Sequence, residues 1–183
     1  LLVFAKSDIG LIRQTNEDSY ACILPGLFLV ADGMGGHVAG EVASSLAVKA
    51  VSDYIQNHFT DGCNREALLE QAILEANELI FQMSKSRDDC AGMGTTISSV
   101  LLDGDTVYWG HVGDSRIYIL STDGLQQVTS DHSLVWELVQ SGNITKEEAH
   151  SHPQRNMLTR AVGTSSQIKV DTGSTVWRQG DFI

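Results

Sequence analysis

Leu29-Val30-Ala31-Asp32-Gly33-Met34-Gly35-Gly36-His37 is the stretch on which the reading turns. An apolar strand delivers one aspartate to its end. Glycines behind it let the backbone come close to whatever that aspartate holds. A dinucleotide-binding fingerprint would need glycine where Val38 stands and an acidic partner further on, which is not evident. Alone, the window reads equally as a glycine turn that starts a helix.

Upstream, short apolar runs alternate with turns. Residues 2–5, 20–24 and 27–31 predict strands, the last two joined through Pro25-Gly26. Downstream of Val38 the period changes. Ala43, Leu46, Ala47, Ala50, Val51 and Tyr54 form one helical stripe, and Leu69, Ala72, Ile73, Ala76, Ile80 and Met83 form a second. Two consecutive amphipathic helices need a shared surface to cover, most simply a sheet. Strands return at 95–102, 106–112 and 116–120, with turns at Asp103-Gly104-Asp105 and Gly113-Asp114. A helix from Asp131 or Ser133 through Val139 is stopped by Gly142, and a short one over 146–149 ends before Pro153. Strands, two helices, then strands again give an α+β layered domain and not an alternating βαβ pattern.

The bulk numbers narrow the function. The 183 residues suit one domain, 42% of them hydrophobic. Twelve basic against 23 acidic residues leave a net charge of −11, which excludes the basic footprint of a nucleic-acid or anionic-membrane surface. An acidic chain binds a phosphate only where cations help locally. Cys22, Cys63 and Cys90 form no zinc pattern and no disulfide framework, which suits a reducing cytoplasm. No apolar run approaches the roughly 18 residues that span a bilayer. Both ends read as cut: the chain opens on Leu1, and Gly180-Asp181-Phe182-Ile183 reads as entry into a strand.

Five further windows join the first. Arg13-Gln14-Thr15-Asn16-Glu17-Asp18 sets a basic residue beside two carboxylates; Gly92-Met93-Gly94-Thr95-Thr96 and His111-Val112-Gly113-Asp114-Ser115-Arg116 follow, the latter with a turn aspartate. Ser130-Asp131-His132-Ser133 opens the late helix, and Asn156-Met157-Leu158-Thr159-Arg160-Ala161-Val162-Gly163 comes after it. Each is bland by itself. Their ordered set resembles the metal-dependent (PPM) protein phosphatases of type 2C, in the bacterial form, across essentially the whole chain.

That resemblance implies a four-layer α-β-β-α sandwich of two antiparallel sheets flanked by helix pairs. It implies hydrolysis of phosphoserine and phosphothreonine in proteins by a water bridging two divalent metals, Mg²⁺ or Mn²⁺, with a third ion in some members. Hard ions want oxygen ligands. By resemblance Asp32 bridges both metals, Gly33 offers its backbone oxygen, and Glu17 and Asp18 hold metal-bound waters or one metal directly. Asp114 matches the aspartate of the third ion. Arg13 is suited to hold two phosphate oxygens with its planar fork. His37 is the candidate acid for the leaving oxygen, with a helix-capping role as its rival. Residues 131–160 match a mobile flap, a subregion of a single partial catalytic domain over 1–183. Its His150 and His152 read as solvated and Trp136 as a packing residue. The family continues into a strand with another Asp-Gly pair and then a final aspartate, so two ligands and one or more core strands are expected beyond Ile183. Phosphorylated proteins and the kinases that make them are the expected partners. A cytoplasmic monomer is expected, with no nucleic acid or membrane bound.

Two other readings stand beside this one. Asp103-Gly104-Asp105-Thr106-Val107 after an apolar strand resembles the aspartyl-nucleophile motif of haloacid-dehalogenase phosphohydrolases. An apolar strand resumes at once after it, which reads as a hairpin turn. A phosphatase-fold module that binds without turnover is the second. A cysteine phosphatase is excluded, since no cysteine is followed by arginine six positions later.

Overall fold

The computed structural model describes residues 1–36 and 38–183, Val38 by its backbone only. A central antiparallel sheet contains strands β1 (Asp18–Ile23), β2 (Leu27–Met34), β3 (Gly94–Thr95), β4 (Ile97–Asp103), β5 (Thr106–Val112) and β8 (Asp171–Val176). Its order is β1-β2-β4-β5-β8, and β3 extends the end of β2. A second, two-stranded sheet is the hairpin β6 (Tyr118–Ser121) and β7 (Gly124–Gln127). Two long helices, α1 (Val38–His58) and α2 (Arg65–Ser86), and two short ones, α3 (Leu134–Gln140) and α4 (Lys146–Ser151), complete the fold. The molecule is thus α+β, with two antiparallel sheets flanked by helices.

The alternation of β2 decides which residues face what. Leu27, Leu29, Ala31 and Gly33 are buried toward α1 and α2, while Val30 and Asp32 point away from the helices. The stripes read from the sequence are the buried ones. Ala43, Ala47 and Val51 of α1 meet Leu69, Ala72, Ile73, Ala76 and Ile80 of α2, all with no accessible surface. Alanines on both helices let them approach each other over the sheet, and each buried Leu or Ile adds about 1.5–3 kcal/mol. Asn64 caps α2 by accepting from the Ala67 N–H at 3.0 Å. Ser133 caps α3, and Thr145 with Glu148 forms a capping box on α4.

On the other face Phe28, Val100, Leu102, Val107 and Trp109 meet Ile117 and Val128 from the hairpin, with Trp177 closing one side. This second core is smaller. Beside it an open groove of about 1690 Å³ is lined by residues that include Leu2, Phe4, Val30, Tyr118 and Phe182.

The observed strands differ from those expected. Residues 2–5 form no strand but line the groove. At the end of the chain Phe182 pairs with Leu120 in an antiparallel bridge. Strands β7 and β8 were not expected. β7 is exposed along its length, and Asp171–Val176 carries a glycine, an aspartate and a serine where a strand pattern wants apolar residues. β8 exists because β5 offers it a ladder from Thr106↔Val176 to His111↔Asp171. Gly173 belongs there for space, since a Cβ would fall 2.6 Å from the Trp109 ring.

Candidate metal and phosphate site

Strand register brings the sequence windows to one rim of the central sheet. Asp18 opens β1 and pairs directly with Asp32 of β2, so their side chains share a face. On the other flank of Asp32 stands Thr96. Its N–H donates to the Asp32 carbonyl at 2.9 Å, and its Oγ1 accepts from the Asp32 N–H at 2.9 Å. Thr95 Oγ1 donates to the same carbonyl at 2.9 Å. The two threonines of the Gly92–Thr96 window therefore hold the Asp32 backbone. Beyond them β5 ends in Gly113-Asp114, and Ser115 Oγ meets Thr96 Oγ1 at 2.7 Å.

Electrostatics mark the same rim. The Asp32 carboxyl reaches solvent, yet its pKa is raised: partial burial comes first, then the charges of Asp18 and Asp114, with Arg13 acting the other way. Asp114 is raised as well, by burial and then by Asp131. Carboxylates crowded like this attract a cation, and oxygen donors alone select a hard one.

The backbone is shaped for close approach. A Cβ on Gly33 would overlap the Gly40 carbonyl and lie 2.7 Å from the Glu17 oxygen, and Gly33 N–H donates to that Glu17 oxygen at 3.0 Å. A Cβ on Gly40 would strike the Glu17 carboxylate. Two glycines thus pack the end of β2 and the first turn of α1 against residue 17. Glu17 also lies 3.7 Å from the exposed Arg13 guanidinium. Among the described residues no group of three or more His, Cys, Asp or Glu converges on a ready-made metal cage. Asp18 and Asp32 face each other as a pair of carboxylates. Mg²⁺ characteristically uses one or two carboxylates and keeps water in its other positions. His37 lies outside the described residues.

The sequence reading missed a buried polar network behind this rim. His111 is wholly buried on β5, with Nδ1 2.9 Å from Ser98 Oγ and Nε2 3.2 Å from the Ser130 carbonyl. Burial, then the neighbouring His132, push its pKa down to about 4. The rings of His111 and His132 are 4.8 Å apart. His132 bonds Asp171 at 3.0 Å, and Arg160 donates to the other Asp171 oxygen at 2.8 Å. Burial raises the Asp171 pKa, but the bonds from Arg160 and His132 outweigh it and hold the group below the ordinary carboxylate range. Arg116 forks onto Asp131 at 2.8 and 2.6 Å. All of these residues but Ser98 and Asp171 fall in windows quoted from the sequence. Their pairing rests on Asp171, which lies in a strand that no local pattern announced.

Asp103 behaves differently. It ends β4 at the hairpin turn, and its carboxylate accepts from Nε of the buried Arg65 at 2.9 Å. It is spent neutralising a guanidinium at the start of α2, which removes the aspartyl-nucleophile reading. Trp136 donates its indole N–H to Ser130 Oγ at 2.6 Å, so it does more than pack.

Comparison with known proteins agrees with the geometry. A model of the family described as protein phosphatase 2C matches residues 13–168. The chain is 41% identical over 184 residues to the serine/threonine phosphatase stp of Listeria monocytogenes serotype 4b, covering 97% of this chain and 73% of that protein. The crystal structure of the serine/threonine phosphatase PstP/Ppp of Mycobacterium tuberculosis superposes with a TM-score of 0.87 at 40% identity, over 96% of this chain and 73% of that one. A second structure, the catalytic domain of PstP in complex with two manganese ions, gives 0.84 at 37% identity, over 96% and 72%. The chain therefore belongs to the protein phosphatase 2C family, in its bacterial serine/threonine phosphatase branch.

Proposed function

We propose that this chain carries the metal- and phosphate-binding half of a hydrolase acting on phosphoserine and phosphothreonine in proteins. The observation that carries the reading is the Asp18–Asp32 pair. Two carboxylates face each other across one strand register, and the charges of Asp18 and Asp114 raise the pKa of Asp32 against the opposing pull of Arg13.

Asp18, Asp32 and the Gly33 carbonyl would hold Mg²⁺ or Mn²⁺, with Glu17 behind them and Asp114 for a further ion. When bound, such ions would supply activation of a water for attack on phosphorus and would offset the phosphate's charge. The chain's own residues do the remaining work. Thr95 and Thr96 fix the Asp32 backbone from one side and β1 from the other, so its carboxylate needs little reorganisation. Arg13 stands at the open side of the rim, where its fork can take two phosphate oxygens and hold the ester in line. No helix is long and apolar enough to cross a membrane, among the described residues.

The test is phosphate release from a phosphothreonine peptide with Mn²⁺, comparing wild type with Asp32→Asn and Asp103→Asn. Manganese-dependent turnover that survives Asp103→Asn is expected. In Asp32→Asn it should fall by more than the roughly 10–100-fold that loss of an outer partner of a metal ligand costs. Turnover unaffected by Asp32→Asn would overturn the site. Manganese binding without turnover in wild type would favour a binding module.

A further inference from the structure

The strongest unassigned feature is the double grip of His132 on Gly113, next to Asp114. The His132 N–H donates to the Gly113 carbonyl at 2.8 Å, and the Gly113 N–H donates back to His132 Nδ1 at 3.0 Å. A backbone N–H can only donate, so Nδ1 carries no proton. The ring hydrogen therefore sits on Nε2 and points at Asp171 Oδ2, 3.0 Å away. Arg160 fixes that carboxylate from its other oxygen. Tautomer and ring plane are set together, and the ring is almost completely buried.

Gly113 has no freedom of its own. Its φ is +114°, and a Cβ there would fall 2.6 Å from Thr96. Thr96 in turn brackets Asp32. The same histidine also closes the neck of the 131–160 segment: its carbonyl accepts from the Thr159 N–H at 2.9 Å, beside the Ser133↔Leu158 bridge and the Leu134 N–H to Met157 carbonyl bond of 2.9 Å. Both ends of that segment thus meet at His132, and His132 meets the Asp114 turn.

We infer that His132 is a positioning residue: through its Nδ1 acceptor on Gly113 it sets the Asp114 turn against Asp32 and ties that turn to the neck of the 131–160 segment. The inference rests on the proposed metal site for its catalytic consequence, but the latch itself exists without metal.

Asn and Gln separate the two ring contacts. His132→Asn keeps an oxygen acceptor near the Nδ1 position and loses the donor to Asp171. His132→Gln keeps an amide donor near the Nε2 position and loses the acceptor on Gly113. In the metal-free protein, amide exchange at Gly113 is expected to stay slow in wild type and His132→Asn and to speed at least about tenfold in His132→Gln. Calorimetric titration with Mn²⁺ should show the weakest bound ion loosened about 10–100-fold in His132→Gln and far less in His132→Asn. In turnover, kcat should drop in the same order while KM for a phosphothreonine peptide moves little. Equal behaviour of the two folded variants, in exchange and in Mn²⁺ affinity, would overturn the inference in favour of simple packing. Should wild type bind no Mn²⁺ and release no phosphate, the exchange pattern at Gly113 still decides the latch, and the proposed function alone falls.

Discussion

Asp32 and Asp103 are both aspartates at strand ends beside a glycine, and their surroundings give them opposite fates. Asp32 faces Asp18 and Asp114, whose charges raise its pKa. Asp103 faces Arg65, so its charge is already used. Asp103→Ala should therefore cost stability, about 1–2 kcal/mol once solvent screening of the half-exposed carboxylate is allowed for, and a urea titration would read it. His111 makes a second prediction at this scale. Its folded pKa, about 4, lies below the ordinary 6.5, so the unfolded chain binds more protons between those values. The stability linked to neutral His111 is complete above about pH 6.5 and is lost as pH falls toward 4, by at most about 3 kcal/mol. Wild type should lose that much more than His111→Asn over this window. Parallel curves for the two proteins would sink the assignment.

At the scale of elements, the glycine contacts between β1, β2 and α1 decide whether a rim exists at all. Gly33→Ala puts a methyl into the Gly40 carbonyl, and neither backbone can yield without moving a strand or a helix. We expect loss of cooperative melting or a drop of several kcal/mol, whereas Gly36→Ala meets no neighbouring atom and should cost only its backbone strain. Asn77 is the comparable joint on α2. Its Oδ1 accepts from the Gly163 N–H at 2.7 Å and its Nδ2 donates to the Ser165 carbonyl at 3.0 Å, tying the turn after Arg160 to the helix. Asn77→Leu would leave both backbone groups unpaired, and faster proteolysis at residues 163–167 is the expected signature. The helices and five of the six expected strands were legible because periodicity and β-branched runs are local. β7 and β8 were not, because their residues are polar or small and only a neighbour's ladder makes strands of them.

Over the whole molecule, the sheet has one well-covered face and one half-covered one. The helix pair seals the first. Over the second, the β6–β7 hairpin covers Val100, Val107 and Trp109, and the groove beside it leaves Leu2, Phe4, Val30, Tyr118 and Phe182 in reach of solvent. Patches of this kind bind apolar probes. This chain should enhance the fluorescence of an anilinonaphthalene dye in its folded state and associate as its concentration rises, which sedimentation would detect. A silent dye and a constant monomer would mean that the groove closes in solution.

What the sequence determined by itself was the cast and its order: an aspartate at the end of an apolar strand, glycines where backbones must touch, two helical stripes, and windows whose succession resembles one family. These are properties of neighbours in the chain, carried by periodicity and residue type. The tertiary structure alone decided who faces whom. It set Asp18 opposite Asp32 through strand register and gave Asp103 to Arg65. It also joined His132 to Gly113 and to Asp171, 39 positions further along the chain. Charge, tautomer and reach depend on distances across the fold, and such distances come into being only when the sheet assembles.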